Sequence, residues 1–219
     1  VMSTSFVPKQ QNWHIYQNNA AEPTVAISAE NAIAYIPNNT GIIRIRVTIL
    51  ETGGKAGSGA VSMEYSVDDS AFTAFASGNA WNYADGAATA GNTVTGNLCT
   101  DTTGKMKYHE TADLSESWVA STSYELDFAI APTATVGLGV KYYFRFLVAG
   151  TAVVLNSGET HPMLRTVRTA AGVVTPGGVA LNSKQKVLSA RAGAITPAAL
   201  ARKKMTLAAY TAGITPSGV

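Results

Sequence analysis

The run Val140-Lys141-Tyr142-Tyr143-Phe144-Arg145-Phe146-Leu147-Val148 constrains this chain more than any other stretch. It is bounded by Gly139 and by Ala149-Gly150. Val140, Tyr142, Phe144, Phe146 and Val148 share one face of a two-residue period; Lys141, Tyr143, Arg145 and Leu147 share the other. β-Branched and aromatic residues in that alternation, closed off by glycines, specify a half-buried strand. No other stretch has as much aromatic surface at this spacing, so it is expected to be the central strand of a β-sandwich.

Other stretches repeat the signal. Ile43, Ile45, Val47 and Ile49 alternate with Arg44, Arg46 and Thr48, a pattern that predicts one dry face and one wet face. Val61 to Val67 alternates in the same way, Asp68-Asp69-Ser70 turns the chain, and Phe72 to Phe75 returns it as a hairpin. Thr24 to Ser28, Tyr124 to Ala131, Ala152 to Leu155 and Met163 to Val167 read as further strands, with weaker ones at Val94 to Thr100 and Met106 to Glu110. Glu51 to Gly59 reads as a glycine-rich loop, and Gly78 to Gly96 as a long polar loop carrying Trp81 and Tyr83. The expected fold is mainly β: an antiparallel sandwich, immunoglobulin/fibronectin-like or jelly-roll-like, over residues 23–168. Residues 1–22 read as a polar N-terminal arm with a short strand at Trp13 and Ile15.

Charge divides the 219 residues unevenly. Residues 1–159 hold fourteen acids and eight Lys/Arg, a net −6; residues 160–219 hold eight Lys/Arg and no acid, a net +8. Three Thr-Pro steps, at Thr175-Pro176, Thr196-Pro197 and Thr215-Pro216, punctuate this end. Thr196 as N-cap, Pro197 at the first helical position and Gly213 past the end describe a helix, and Asn182 or Ser183 starts a shorter one. Residues 169–219 are therefore expected to form a basic arm with one or two short helices. Lys184, Lys186, Arg191, Arg202, Lys203 and Lys204 are its charged contacts, with Leu200 and Leu207 as apolar anchors. Its apolar stripes are thin, which suits docking on an acidic partner.

The chemistry of sites is sparse. Cys99 is the only cysteine, so no internal disulfide forms, and without a paired histidine it reads as a small buried hydrophobe. His109, Glu110, Asp113 and Glu116 match no metal-ligand spacing and read as a solvated loop. No nucleophile elbow or phosphate-cradling glycine pattern occurs, so no catalytic residue, metal or cofactor is assigned and the chain is not expected to be an enzyme. Trp81 and Tyr83 offer a ring pair for a glycan, though a loop folded over the sandwich edge is the favoured reading of them. Nucleic acid ranks below an acidic protein partner because no aromatic residues interleave Arg202-Lys203-Lys204. No apolar run spans a membrane, and residues 1–30 lack a signal-peptide pattern.

Several short elements, in order, carry a resemblance. They are Trp13-His14-Ile15-Tyr16, Ala29-Glu30-Asn31, Arg44-Ile45-Arg46-Val47, Glu64-Tyr65-Ser66, Trp81, Ala84-Asp85-Gly86, Glu125-Leu126-Asp127-Phe128, Tyr142-Tyr143-Phe144-Arg145 and His161-Pro162-Met163-Leu164. Together they resemble a β-sandwich module of tailed-phage structural proteins and bacterial surface proteins, and Tyr142 to Arg145 resembles a fibronectin type III strand. The turn Ser66 to Ser70 departs from that module's glycine-containing version. The resemblance implies display or assembly. The expected role is a capsid decoration or cement protein on the virion exterior, assembled in the host cytoplasm. Its partners would be the major capsid protein and copies of itself, a trimer being one arrangement. The alternative is a bacterial surface adhesin module that binds glycans through the Trp81 loop.

Overall fold

The computed structural model describes residues 5–37, 40–112 and 114–167, all within one compact unit. Every regular element among them is a strand. In chain order these are β1 (Pro8–Gln17), β2 (Ala34–Pro37), β3 (Ile43–Glu51), β4 (Gly57–Ser66), β5 (Thr73–Ala74), β6 (Trp81–Tyr83) and β7 (Gly104–His109). They continue with β8 (Ser115–Trp118), β9 (Ser123–Pro132), β10 (Lys141–Val148), β11 (Thr151–Ala152), β12 (Val154–Leu155) and β13 (Met163–Val167). The mainly β expectation holds. The basic residues Lys184, Lys186, Arg191, Arg202, Lys203 and Lys204, the anchors Leu200 and Leu207 and the expected helices lie outside the described residues.

Two sheets form. One runs β12-β1-β3-β9, with β6 and β7 both on the far side of β9; the other runs β2-β13-β10-β4-β5, with β11 on β10 and β8 on β4. The Tyr142-containing strand, β10, sits mid-sheet, as its aromatic face predicts. The pairing is mixed rather than purely antiparallel: β1 with β12, β13 with β2 and β7 with β9 are parallel. Parallel neighbours require chain crossovers, which the long connections supply.

One apolar cluster draws on both sheets. Ile15, Ile45, Val47, Leu126 and Phe128 come from the first, and Met63, Tyr142, Phe144, Phe146 and Leu164 from the second. Trp81 sets its ring edge-on to Tyr142 and Phe144, with centroids 5.5 and 5.3 Å apart, and Phe128 meets Phe146 at 5.1 Å. Edge-to-face contacts of this kind add directional preference to area burial.

Several expectations change. The polar N-terminal arm contains a full ten-residue strand, β1, because Trp13, Ile15 and Tyr16 are buried against β3. Thr24 to Ser28 is no strand; Ala26 makes one isolated bridge to Tyr16. Trp81 to Tyr83 lies on β9 as a strand inside the expected loop. Val94 to Thr100 is irregular, and only Thr93 bridges to Lys107. The glycine-rich loop after β3 is short, since β4 begins at Gly57. There Phe6 packs its ring where any side chain at Gly57 would stand.

Glu51 holds three connections together. Its carboxylate is buried and accepts N–H groups from Val7 (3.1 Å), Gly53 (2.6 Å), Gly54 (2.9 Å) and Ser121 (2.9 Å). Burial alone raises a carboxyl pKa; here the four amides outweigh it, and the Glu51 pKa lies below its ordinary 4.5. A depressed folded-state pKa contributes stability that is fully present above the unfolded value and is lost as pH falls through the folded value. Glu51→Gln removes that term, so the variant is less stable by about 1–3 kcal/mol at neutral pH, and its deficit against the parent narrows below pH 4.5. Urea midpoints across an acid series measure both.

Core packing yields a second expectation. Phe144→Ala, at 0% exposure beneath Trp81 and Phe75, lowers unfolding free energy by about 3–5 kcal/mol. Trp81→Phe is milder, because the Trp81 indole N–H has no hydrogen-bond partner to lose among the described residues. Denaturant titration ranks the two.

Candidate functional site

The densest collection of polar chemistry lies where sequence alternation placed a wet face. On β3 the residues opposite the isoleucines are Arg44, Arg46 and Thr48, and all three are 0–1% exposed. On β9 the matching face carries Glu125 and Asp127, both 0% exposed. Register places Arg46 directly across from Asp127 and Thr48 across from Glu125. Opposite charges thus meet as cross-strand neighbours.

Arg46 is the hub. Its Nε donates to Asp127 Oδ2, its Nη1 to Glu125 Oε1 at 2.7 Å and to the Gly96 carbonyl at 3.0 Å, and its Nη2 to Glu22 Oε1 at 2.8 Å. Arg44 Nε donates to Asp127 Oδ1 at 2.7 Å, and its Nη1 reaches Asn18 Oδ1 at 3.3 Å. The Tyr108 ring lies 5.0 and 5.5 Å from the two guanidinium carbons, and its hydroxyl donates to Glu22 Oε2 at 2.7 Å. Planar, weakly hydrated guanidinium groups suit both the forked carboxylate contacts and an aromatic cover.

The cover is the segment between β6 and β7, with β7 itself. Ala88, Val94 and Tyr108 form a small apolar cluster of their own. Glu125 accepts the amides of Leu98 and Cys99, each at 2.8 Å, which fixes the chain as it crosses the sheet. Glu22 accepts the Thr95 hydroxyl at 2.5 Å, and Asn18 Oδ1 accepts the Ala87 amide at 2.8 Å. An irregular segment is therefore held by side chains of the sheet instead of a backbone ladder.

These environments set the ionisation. Burial works against the Arg46 charge, but Asp127, Glu125 and Glu22 outweigh it and raise its pKa. Burial would also raise Glu22; hydrogen bonds from Thr95 and Tyr108, with Arg46 beside them, lower it instead. The Cys99 thiol is pushed well up by burial and then by Glu125 and Glu30, so it stays protonated. It is 5% exposed, the small buried hydrophobe that the sequence suggested. Tyr16 is pushed to about 12, by burial first and then by Cys99 and Glu125.

The remaining polar residues resolve as follows. His109 and Glu116 are buried, at 0% and 6%, not solvated: the ring stacks on Phe128 at 4.7 Å and its Nε2 meets Glu116 Oε1 at 3.1 Å. Among the described residues no group of three His, Cys, Asp or Glu is arranged to hold a metal ion. Trp81 is 0% exposed inside the core, so it presents no ring face to a sugar. Tyr83 is half-buried, and its hydroxyl accepts the Met63 amide at 2.6 Å. The pair at 81 and 83 is a core element, because β6 turns Trp81 inward between the sheets.

Nothing in the single residues marked the network in advance; only the coincidence of Arg-x-Arg on one strand with Glu-x-Asp on another carries it. Its carboxylates accept guanidinium, amide and hydroxyl donors, and burial raises the pKa of Glu125 and Asp127 against the pull of Arg46.

Arg46→Ala leaves Asp127 and Glu125 buried without their shared cation and lowers stability by about 3–5 kcal/mol. Hydrogen exchange at Leu98 and Cys99 speeds up in this variant more than exchange in β10. Uniform acceleration across both sheets would contradict the role of Arg46 in fastening the cover.

Compared with models of protein families, with curated proteins and with solved structures, the chain gives no match.

Proposed function

We propose that the protein is a virion structural protein, a capsid decoration or cement protein of a tailed phage. In this reading the two sheets pack as a β-sandwich displayed on the capsid exterior, and the basic end binds acidic surfaces of the major capsid protein and of neighbouring copies. The observation that carries it is the charge division: a net −6 over residues 1–159 followed by sixty residues with eight Lys/Arg and no acid. A chain so divided attracts acidic partners at one end while its body repels polyanions.

The interior takes up part of that acidic excess. Glu51, Glu116, Glu125 and Asp127 are buried, as are Arg44 and Arg46. Removing their net −2 leaves −4 for the rest of residues 1–159, so the contrast with the basic end survives. The body also takes up its own buried charge and needs no disulfide, which suits an assembly module made in a reducing compartment. The glycan-binding adhesin reading loses its intended ring in Trp81, and the assembly reading is the better supported.

Charge reversal tests it. The full chain should co-sediment with capsids lacking it, more weakly as salt rises. Replacing Lys184, Lys186, Arg191, Arg202, Lys203 and Lys204 with Glu should abolish the association while the body keeps its unfolding transition. A wild-type chain that remains monomeric and ignores capsids at low salt would overturn the proposal.

A further inference from the structure

A cleft of about 450 Å³ opens between the end of β1, strand β2 and the start of β3. Its volume lies in the range of small-ligand sites. None of the described residues lining it is charged. Ile27 and Ile42, both half-buried, supply aliphatic surface above the buried Ile36 and Ile43, and Gln17, Asn18 and Asn19 supply three carboxamides. Tyr35 also lines it and is 56% exposed, the most open aromatic ring among the large exposed hydrophobics of the described residues.

Two of the carboxamides are already oriented. Asn18 Oδ1 accepts from Arg44 Nη1 and from the Ala87 amide, so the buried ionic network fixes this amide and leaves its Nδ2 without a partner among the described residues. Asn19 is tied to Thr24 through both ends of its amide. Such pre-orientation lowers the ordering cost of binding. The Gln17 amide and the Tyr35 hydroxyl have no partner among the described residues.

We infer that this cleft binds a neutral sugar ring. A pyranose has an apolar C–H face and a rim of hydroxyls that both donate and accept. An exposed tyrosine ring suits the face, carboxamides suit the rim, and isoleucines suit the ring edge. An anionic ligand would find no cation in the lining, and a wholly apolar one would strand the carboxamides without partners. The lining includes neither Trp81 nor Tyr83, and the site goes beyond the assembly role without depending on it.

Titration of the isotope-labelled full chain with glucose, galactose, mannose, N-acetylglucosamine and glucuronate, followed by amide chemical shifts, tests the inference. One or more of the four neutral sugars should give saturable millimolar shifts clustered at Gln17, Asn18 and Tyr35. Tyr35→Ala, at an exposed position, should weaken binding about tenfold, whereas Tyr35→Phe should retain most of it. Gln17→Ala, also exposed, is a second probe should Tyr35→Ala disturb the native spectrum. The inference is overturned by no shift with any neutral sugar, by shifts that map elsewhere, by tighter binding of glucuronate, or by unchanged affinity in a natively folded Tyr35→Ala.

Discussion

Arg46 is shared by three carboxylates, and much of the architecture follows from that single guanidinium. It lies at 0% exposure on the face of β3 turned away from the aromatic core, a costly position for a lone cation. The position is tolerable because Asp127, Glu125 and Glu22 arrive from three directions. Asp127 and Glu125 come from the adjacent strand, so β3 and β9 are joined by side chains as well as by backbone. Glu22 comes from the connection after β1, so the network also ties down a segment with no ladder of its own. A set of this kind is a weak source of net stability against an apolar replacement, but it is unforgiving of partial removal. Its effect is to specify one path for the cover across the sheet.

The same network explains how the first sheet is covered on both faces in a chain with no described helix. Aromatic and aliphatic residues bury one face against the second sheet. The outer face is closed by an irregular segment whose own apolar content is slight, with Ala88 and Val94 packed on Tyr108 of β7. So little apolar area would not hold such a segment by itself. Hydrogen bonds from its amides to Glu125 and Asn18, and from Tyr108 and Thr95 to Glu22, supply what hydrophobic burial does not. Glu51 repeats the device on a smaller scale, with one buried carboxylate gathering amides from three connections.

Legibility in the sequence followed from whether a residue's environment was local. β3, β9 and β10 were readable because alternation is an immediate consequence of a sheet facing a core. β1 was obscured by the Gln and Asn residues interleaved with Trp13 and Ile15, and β2 and β8 by their brevity. The ionic network was misread for a definite reason. Alternation of Ile with Arg records two different faces; it does not say that the second one meets water. Deciding that requires knowing that Glu125 and Asp127 stand opposite, a register fact between residues about eighty apart in the chain. Trp81 was misread in the converse way, since its polar, glycine-rich surroundings conceal a three-residue strand that turns it inward.

Burial of these side chains limits where recognition can occur. The conspicuous polar and aromatic residues of the body, namely Arg44, Arg46, Glu125, Asp127, His109 and Trp81, are consumed by folding. What remains on the described body is less conspicuous: a modest acidic excess outside the interior, and the carboxamides and tyrosine of the β1–β2–β3 cleft. A body whose strongest charges neutralise one another internally offers partners shape and weak fields. The charge left unmatched in sequence is the run of eight Lys/Arg after residue 159. The proposed assembly role rests on this division of charge between residues 1–159 and residues 160–219.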